Sequence, residues 1–351
     1  MLRIVAFVCA LQLGAFAAES GAQTPAGGRA AHATLAAGIR IASGAAGAAN
    51  PAFEASLDAA MRSSTRPRDW ALAATASPQP SRTIGATAHV DGDLFRAAQA
   101  APGDALVQWL VANHADPATP EGRAHRAAAI DAMTRIEPDN GAAWMQALAA
   151  AASDDDEPLV EDALTRMAQA RRFDDHFVDV LHAWIDVYDR HPAPASLSTD
   201  AYDAGFMAAM AKAAATALPA YQHVVLACKP PATAGTAFAR GTRCVAIGRT
   251  MLDSGTTLVA RSIGFAILRN LDAATDADRA AKRDLDWYAA NVLHGTGEDG
   301  NVRDALAHES DWRRMDDEIE VMKSALGRAG LPTQAPDGWM PRSKPGAVAA
   351  G

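Results

Sequence analysis

Cysteine, lysine and tyrosine are scarce in this chain, and past its first residues so are long apolar runs. Among 351 residues there are 3 cysteines and 4 tyrosines, and aromatic residues make up 6%. That is too little cysteine for a disulfide-rich scaffold, and no C-x-x-C pair occurs to start a zinc or redox motif. Lysine appears five times, and the arginines are scattered rather than clustered. With a formal net charge of −9, the chain lacks the basic footprint that nucleic acid requires, and anionic lipid is disfavoured for the same reason. Beyond the N-terminus no apolar stretch reaches the length of a bilayer span.

The first apolar run reads as an export signal. "MLRIVAFVCALQLGAFAAES" carries one charge at Arg3, an apolar stretch from Ile4 to Phe16, and small residues at Ala15 and Ala17, so cleavage is expected after Ala17. Cys9 follows Val8, not the small residue of a lipoprotein signal. Arginine in place of lysine, and alanine at about a quarter of the chain, suit a high-GC Gram-negative bacterium, so the expected location is the periplasm or the medium. Loss of residues 1–17 leaves Cys228 and Cys244. An even pair in an oxidising compartment implies a disulfide.

Residues 18–50 are rich in alanine, glycine, serine and proline and read as a low-complexity linker. Residues 331–351 read as a flexible tail in which Trp339 docks locally. Between them, apolar residues recur at helical spacing and strand alternation is scarce, which predicts an all-α fold. "DALVQWLVANH" places Leu106, Trp109, Leu110 and Asn113 on one face behind the capping Asp104. Pro158 opens a helix behind an acidic run, Asp154 to Glu157. Thr199 or Asp200 is expected to open a helix that stops at Pro219. A last helix is expected from about Ser310, with Trp312, Met315, Ile319, Met322 and Leu326 on its packed side. The prolines of "HPAPASLSTD" suggest a division between helical regions at 51–190 and 200–330, the second braced by the disulfide.

Residues 135–144, "RIEPDNGAAW", contain a Pro-Asp-Asn turn with a tryptophan early in the next segment. Trp109 and Trp144 are 35 residues apart, close to a 34-residue helix-turn-helix period. Over roughly residues 104–190 the sequence resembles the tetratricopeptide family, although Ala147 and Leu148 stand where that family has a glycine and the Trp144-to-Trp184 spacing grows to 40. The resemblance implies stacked helical hairpins, as an α-solenoid or an irregular bundle, with a groove for a peptide or partner protein.

Motifs that state a chemistry are missing. "HESDW" at His308 begins like a zinc-protease helix but has Trp312 at the second histidine position, and neither a nucleophile elbow nor a P-loop occurs. One constellation remains: Asp175, Asp179, His182 and Asp186 fall at i, i+4, i+7 and i+11. Carboxylates with an imidazole can ligate a metal or relay a proton, whereas the plainer alternative is the solvated face of an amphipathic helix. The expected function is a non-catalytic exported scaffold that binds a protein or peptide in the cell envelope and needs no cofactor. The alternative is an envelope hydrolase with a carboxylate/His site.

Overall fold

The computed structural model describes residues 50–76, 86–194, 203–217, 219, 221–229, 237–295 and 308–341. These residues are helical with no strand, as the periodicity predicts, and only two isolated β-bridges occur among them. The expected signal peptide and all but the last residue of the linker lie outside them. In chain order the helices are α1 (Pro51–Ser63), α2 (Pro67–Ala76), α3 (Ala86–Ala100), α4 (Ala105–His114), α5 (Pro120–Ile136), α6 (Gly141–Ser153) and α7 (Glu157–Gln169). There follow α8 (Phe177–Arg190), α9 (Ala204–Thr216), α10 (Gln222–Ala227), α11 (Ala237–Ser254), α12 (Leu258–Asn270), α13 (Asp276–Gly295) and α14 (Glu318–Arg328).

Short polar side chains set the helix starts by satisfying first-turn amides. Asp104 Oδ1 accepts from Leu106 N and Val107 N at 3.1 and 3.3 Å. Asn140 caps α6, and Asp156 caps α7 just ahead of Pro158. Two expected starts move. α9 opens at Ala204 under Asp203, not under Thr199 or Asp200, which lie outside the described residues. The single helix expected from Ser310 is broken: a helical turn at 308–312 ends, and α14 begins only at Glu318. Asp317 is the cause, because its Oδ1 takes Ile319 N at 2.7 Å and so restarts the helix there.

Consecutive helices pair as hairpins: α2 with α3, α4 with α5, α6 with α7. α4 packs on α2 and α3, and α6 on α4 and α5. The order then changes. α11 lies on α7 and runs parallel to it, since Arg240 meets Glu157 and Glu161 near their starts while Thr250 Oγ1 donates to Ala170 O at 3.4 Å near their ends. α11 and α12 cross with backbones almost touching: a Cβ on Gly264 would lie 2.6 Å from Gly248 O.

α8 crosses the N-terminal ends of the earlier helices. Asp174, just before it, bonds Asn140 at the head of α6; His176 meets Trp109 in α4; and Arg190 clasps Asp69 in the first turn of α2 at 2.7 and 3.0 Å. α9 packs on α8 and α2, its Thr216 carbonyl at 2.8 Å from His114 Nε2 at the end of α4, and α10 packs on α6. The chain's own α8–α10 therefore cover a face of α2, α4 and α6.

One hydrophobic core runs from Leu57 to Val321, with Trp109 and Trp184 both buried in it, and a smaller cluster joins α12, α13 and α14. The division expected near 191–200 thus does not separate two cores, because α9 closes its hairpin against α8 across it. The tail is packed at its start rather than flexible from Leu331. Trp287 Nε1 and Tyr288 Oη donate to the carbonyls of Pro332 and Thr333 at 2.9 and 2.8 Å, and Trp339 meets Trp287 edge-on, as its local docking predicts. The expected disulfide joins Cys228, at the end of α10, to Cys244 in α11, and both are buried.

Candidate functional site

The turn between α5 and α6 docks on the segment that precedes α8, and this contact builds the site. Asn140 is buried and commits its whole side chain. Oδ1 accepts from Ala142 N at 3.1 Å and Asp174 N at 2.9 Å, while Nδ2 donates to Glu137 Oε2 and to Asp174 O, both at 2.9 Å. Gly141 N donates to Arg172 O at 2.9 Å, and a Cβ there would meet the Phe173 ring at 3.0 Å.

This docking delivers His176. Its backbone is left-handed, φ 57°, like those of Asp155 and Asp272 among the described residues. Those two aspartates sit just past helix ends, a usual place for that conformation. His176 instead stands at the start of α8 and gives it no side-chain cap. Its ring is 2% exposed and bonded on both sides: Nδ1 to Asp179 Oδ2 at 2.8 Å and Nε2 to Glu137 Oε2 at 3.0 Å, with the Trp109 ring centroid 5.2 Å away.

Burial alone would lower the pKa of His176. The hydrogen bonds to Asp179 and Glu137, with the charges of Asp174 and Glu137, outweigh it and push the imidazole up to about 10. Burial works against Glu137 ionising, but His176, then Asn140 and Arg172, bring its carboxyl down to about 2. At neutral pH the group is an imidazolium held between two carboxylates.

The triad forms part of an open cleft of about 510 Å³ whose walls also carry Arg68, Asp104 and Leu106. Arg68 grips Asp104 through Nε at 2.7 Å and Nη2 at 3.2 Å. That hydrogen bond, ahead of the opposing cost of burial, raises its pKa further. Asp174, His176 and Asp179 also place donor atoms close enough to surround a metal ion. His176 Nδ1 is already directed at Asp179 Oδ2 at 2.8 Å, so an ion bound there would have to displace that hydrogen bond and its proton.

The four stripe residues are not brought together. Asp175 precedes α8 rather than lying on it, and is buried with Oδ2 accepting from Tyr221 Oη at 2.5 Å and Thr257 Oγ1 at 2.7 Å. The helical count fails there because His176 turns the chain left-handed. His182 Nε2 lies 2.5 Å from the Trp312 carbonyl, and Asp186 pairs with Arg66 and Arg190. Asp179 alone reaches the cleft. The counting missed Glu137, His176 and Arg68; the available signal was a histidine inside "DDHFVD" with an acidic residue beside the quoted turn.

The tryptophans divide. Trp109 and Trp184 are core, whereas Trp144 is half-buried and donates from Nε1 to Pro138 O at 2.9 Å, clamping the turn it follows. His223 is half-buried on α10. Among the described residues no helix is long and apolar enough to cross a membrane. No family model, curated protein or solved structure matches the chain.

Proposed function

We propose that this chain is an exported helical scaffold of the periplasm or the medium of a Gram-negative bacterium, which binds a protein or peptide partner through the cleft at the heads of α4 and α8. The helical hairpins α2–α7 are its frame, with α4–α7 in the stretch that resembles tetratricopeptide repeats. The usual groove of such a stack is not the contact in this reading, because α8–α10 lie across α2, α4 and α6. The observation that carries the proposal is the cleft itself: a fixed, mixed-charge surface whose Arg68 is 54% exposed and whose Asp179 is 45% exposed. Opposite charges fixed in place suit the recognition of a complementary surface.

The hydrolase alternative would use the same carboxylates and histidine. A histidine whose pKa lies near 10 keeps its proton at neutral pH and offers no general base, and Glu137 near 2 offers no acid. Binding is therefore the better supported use.

The test is site-specific cross-linking. A photoreactive residue at Gly103, where an added Cβ meets nothing within 4 Å, lines the cleft. Cross-linking in intact envelopes should give one discrete adduct, absent when the same residue is placed at Arg135 on the exposed side of α5. Adducts of equal strength at both positions, or none at Gly103, would overturn the proposal.

A further inference from the structure

We infer that the cleft takes a compact zwitterion, an ammonium and a carboxylate a few bonds apart, as in a free amino acid or the unblocked amino-acid end of a short peptide. The inference rests on the cleft being a binding site and adds the chemical class of what enters it.

The first argument is the hydrogen-bonding capacity left over. Asp104 is spent: Oδ1 takes two amides of α4 and Arg68 Nη2, and Oδ2 takes Arg68 Nε. Glu137 is spent on His176, Asn140 and Arg172. Two groups keep capacity. Arg68 uses Nε and Nη2 and has Nη1 to offer, while Asp179 uses Oδ2 and has Oδ1. One is a cation and the other an anion. Both line the same cleft, yet among the described residues no ion pair joins them.

The second argument is selection by sign. The charged groups lining the cleft are Arg68 and the His176 imidazolium against Asp104, Glu137 and Asp179. A simple cation would approach Arg68 and His176, and a simple anion would meet three carboxylates. Each arrives beside like charge, which costs affinity. A ligand bearing both signs can put its carboxylate on Arg68 Nη1 and its ammonium on Asp179 Oδ1. The cleft volume lies within the range of small-molecule sites, roughly 300–1,000 Å³. Arg68 and Asp179 are already held through their other atoms by Asp104 and His176, so little side-chain freedom is lost on binding.

The experiment is calorimetric titration of the full exported chain with a panel of free amino acids, di- and tripeptides, and the N-acetyl and carboxamide derivatives of whichever binds best. The expected result is saturable binding by at least one member, weakened at least tenfold when either its amine or its carboxylate is capped. Free amino acids outbinding peptides, or the reverse, identifies the source. Arg68→Gln should also weaken binding at least tenfold with an unchanged melting curve, while Arg68→Lys restores part of it. Asp179→Asn should do the same, with its melting curve checked because it also removes a bond to His176. No binding at millimolar concentration, or equal binding by the capped derivatives, overturns the inference. The Gly103 cross-link reads partner contact separately, so a positive cross-link with no small-ligand binding removes the zwitterion and leaves the scaffold standing.

Discussion

His176 and Glu137 are 39 residues apart in the chain and 3.0 Å apart in space, Nε2 to Oε2. The bond ties the start of α8 to the turn between α5 and α6. Two sections of the protein whose order along the chain gives no hint of contact are thereby locked in register.

Removing either partner costs the other one of its two opposite charges: His176 keeps only Asp179, and Glu137 keeps only Arg172. Glu137→Gln should destabilise the fold by about 3 kcal/mol at pH 7 in chemical denaturation, the usual scale for breaking a buried pair. The pH dependence has a definite sign. The pKa of His176 is raised from 6.5 to about 10, so its contribution is complete below pH 6.5 and is lost as pH rises through 10. The pKa of Glu137 is lowered from 4.5 to about 2, so its share is present above 4.5 and is lost as pH falls through 2. The gap between wild type and His176→Gln should therefore narrow from pH 6 to pH 10. A gap that stays constant over that range would count against the imidazolium.

Glu318 should respond to pH in the opposite sense to Glu137. Burial, with added repulsion from Asp175 and Asp317, raises it from 4.5 to about 7 despite the bond it accepts from Leu258 N at 2.7 Å. A carboxyl neutral in the fold and ionised when unfolded weakens the folded state as pH climbs from 4.5 to 7, by on the order of 3 kcal/mol. Glu318→Gln should flatten that part of the stability curve. An unchanged slope between pH 4.5 and 7 would show that Glu318 does not titrate there.

Gly264 permits the close crossing of α11 and α12. A methyl group there would meet Gly248 O and Leu252 N at 2.6 Å, backbone atoms that cannot swing aside. Gly264→Ala should cost about 1–3 kcal/mol through overpacking, despite alanine's better helix propensity. Gly327, which has nothing within 4 Å, is the control: Gly327→Ala should be neutral or stabilising. Thermal melts of the two variants shifting equally would refute the close-crossing explanation.

The Cys228–Cys244 bridge closes a short loop, the two being 16 residues apart in sequence. Loop-closure entropy assigns it about 3 kcal/mol. The double variant Cys228→Ser/Cys244→Ser should unfold at lower denaturant, and the oxidised protein should show no free thiol from this pair. Two titratable thiols per folded chain, without reductant, would disprove the bridge.

How much of this could be read from the chain depends on whether the signal was local. The apolar face of α4 was legible because it is a repeat along one helix. So was the cap Asp104, which acts on amides two and three residues ahead, whereas Asn140 reads as part of a turn and its cap on α6 emerges only in the structure. The stripe from Asp175 to Asp186 misled because one left-handed residue, His176, takes Asp175 off the helix. The last helix misled because its apolar spacing continues across a break that Asp317 makes.

The sequence by itself determined the all-α class and the pairing of Cys228 with Cys244, since periodicity and pair count are properties of the chain alone. Tertiary structure decided the cleft. Arg68, Glu137 and His176 come from three separate segments, and only the laying of α8 across the heads of α2, α4 and α6 brings them together. That placement depends on burying Trp109, Leu181 and Trp184 in one core, and such a choice among partners is made by shape and area, which no spacing along the chain encodes.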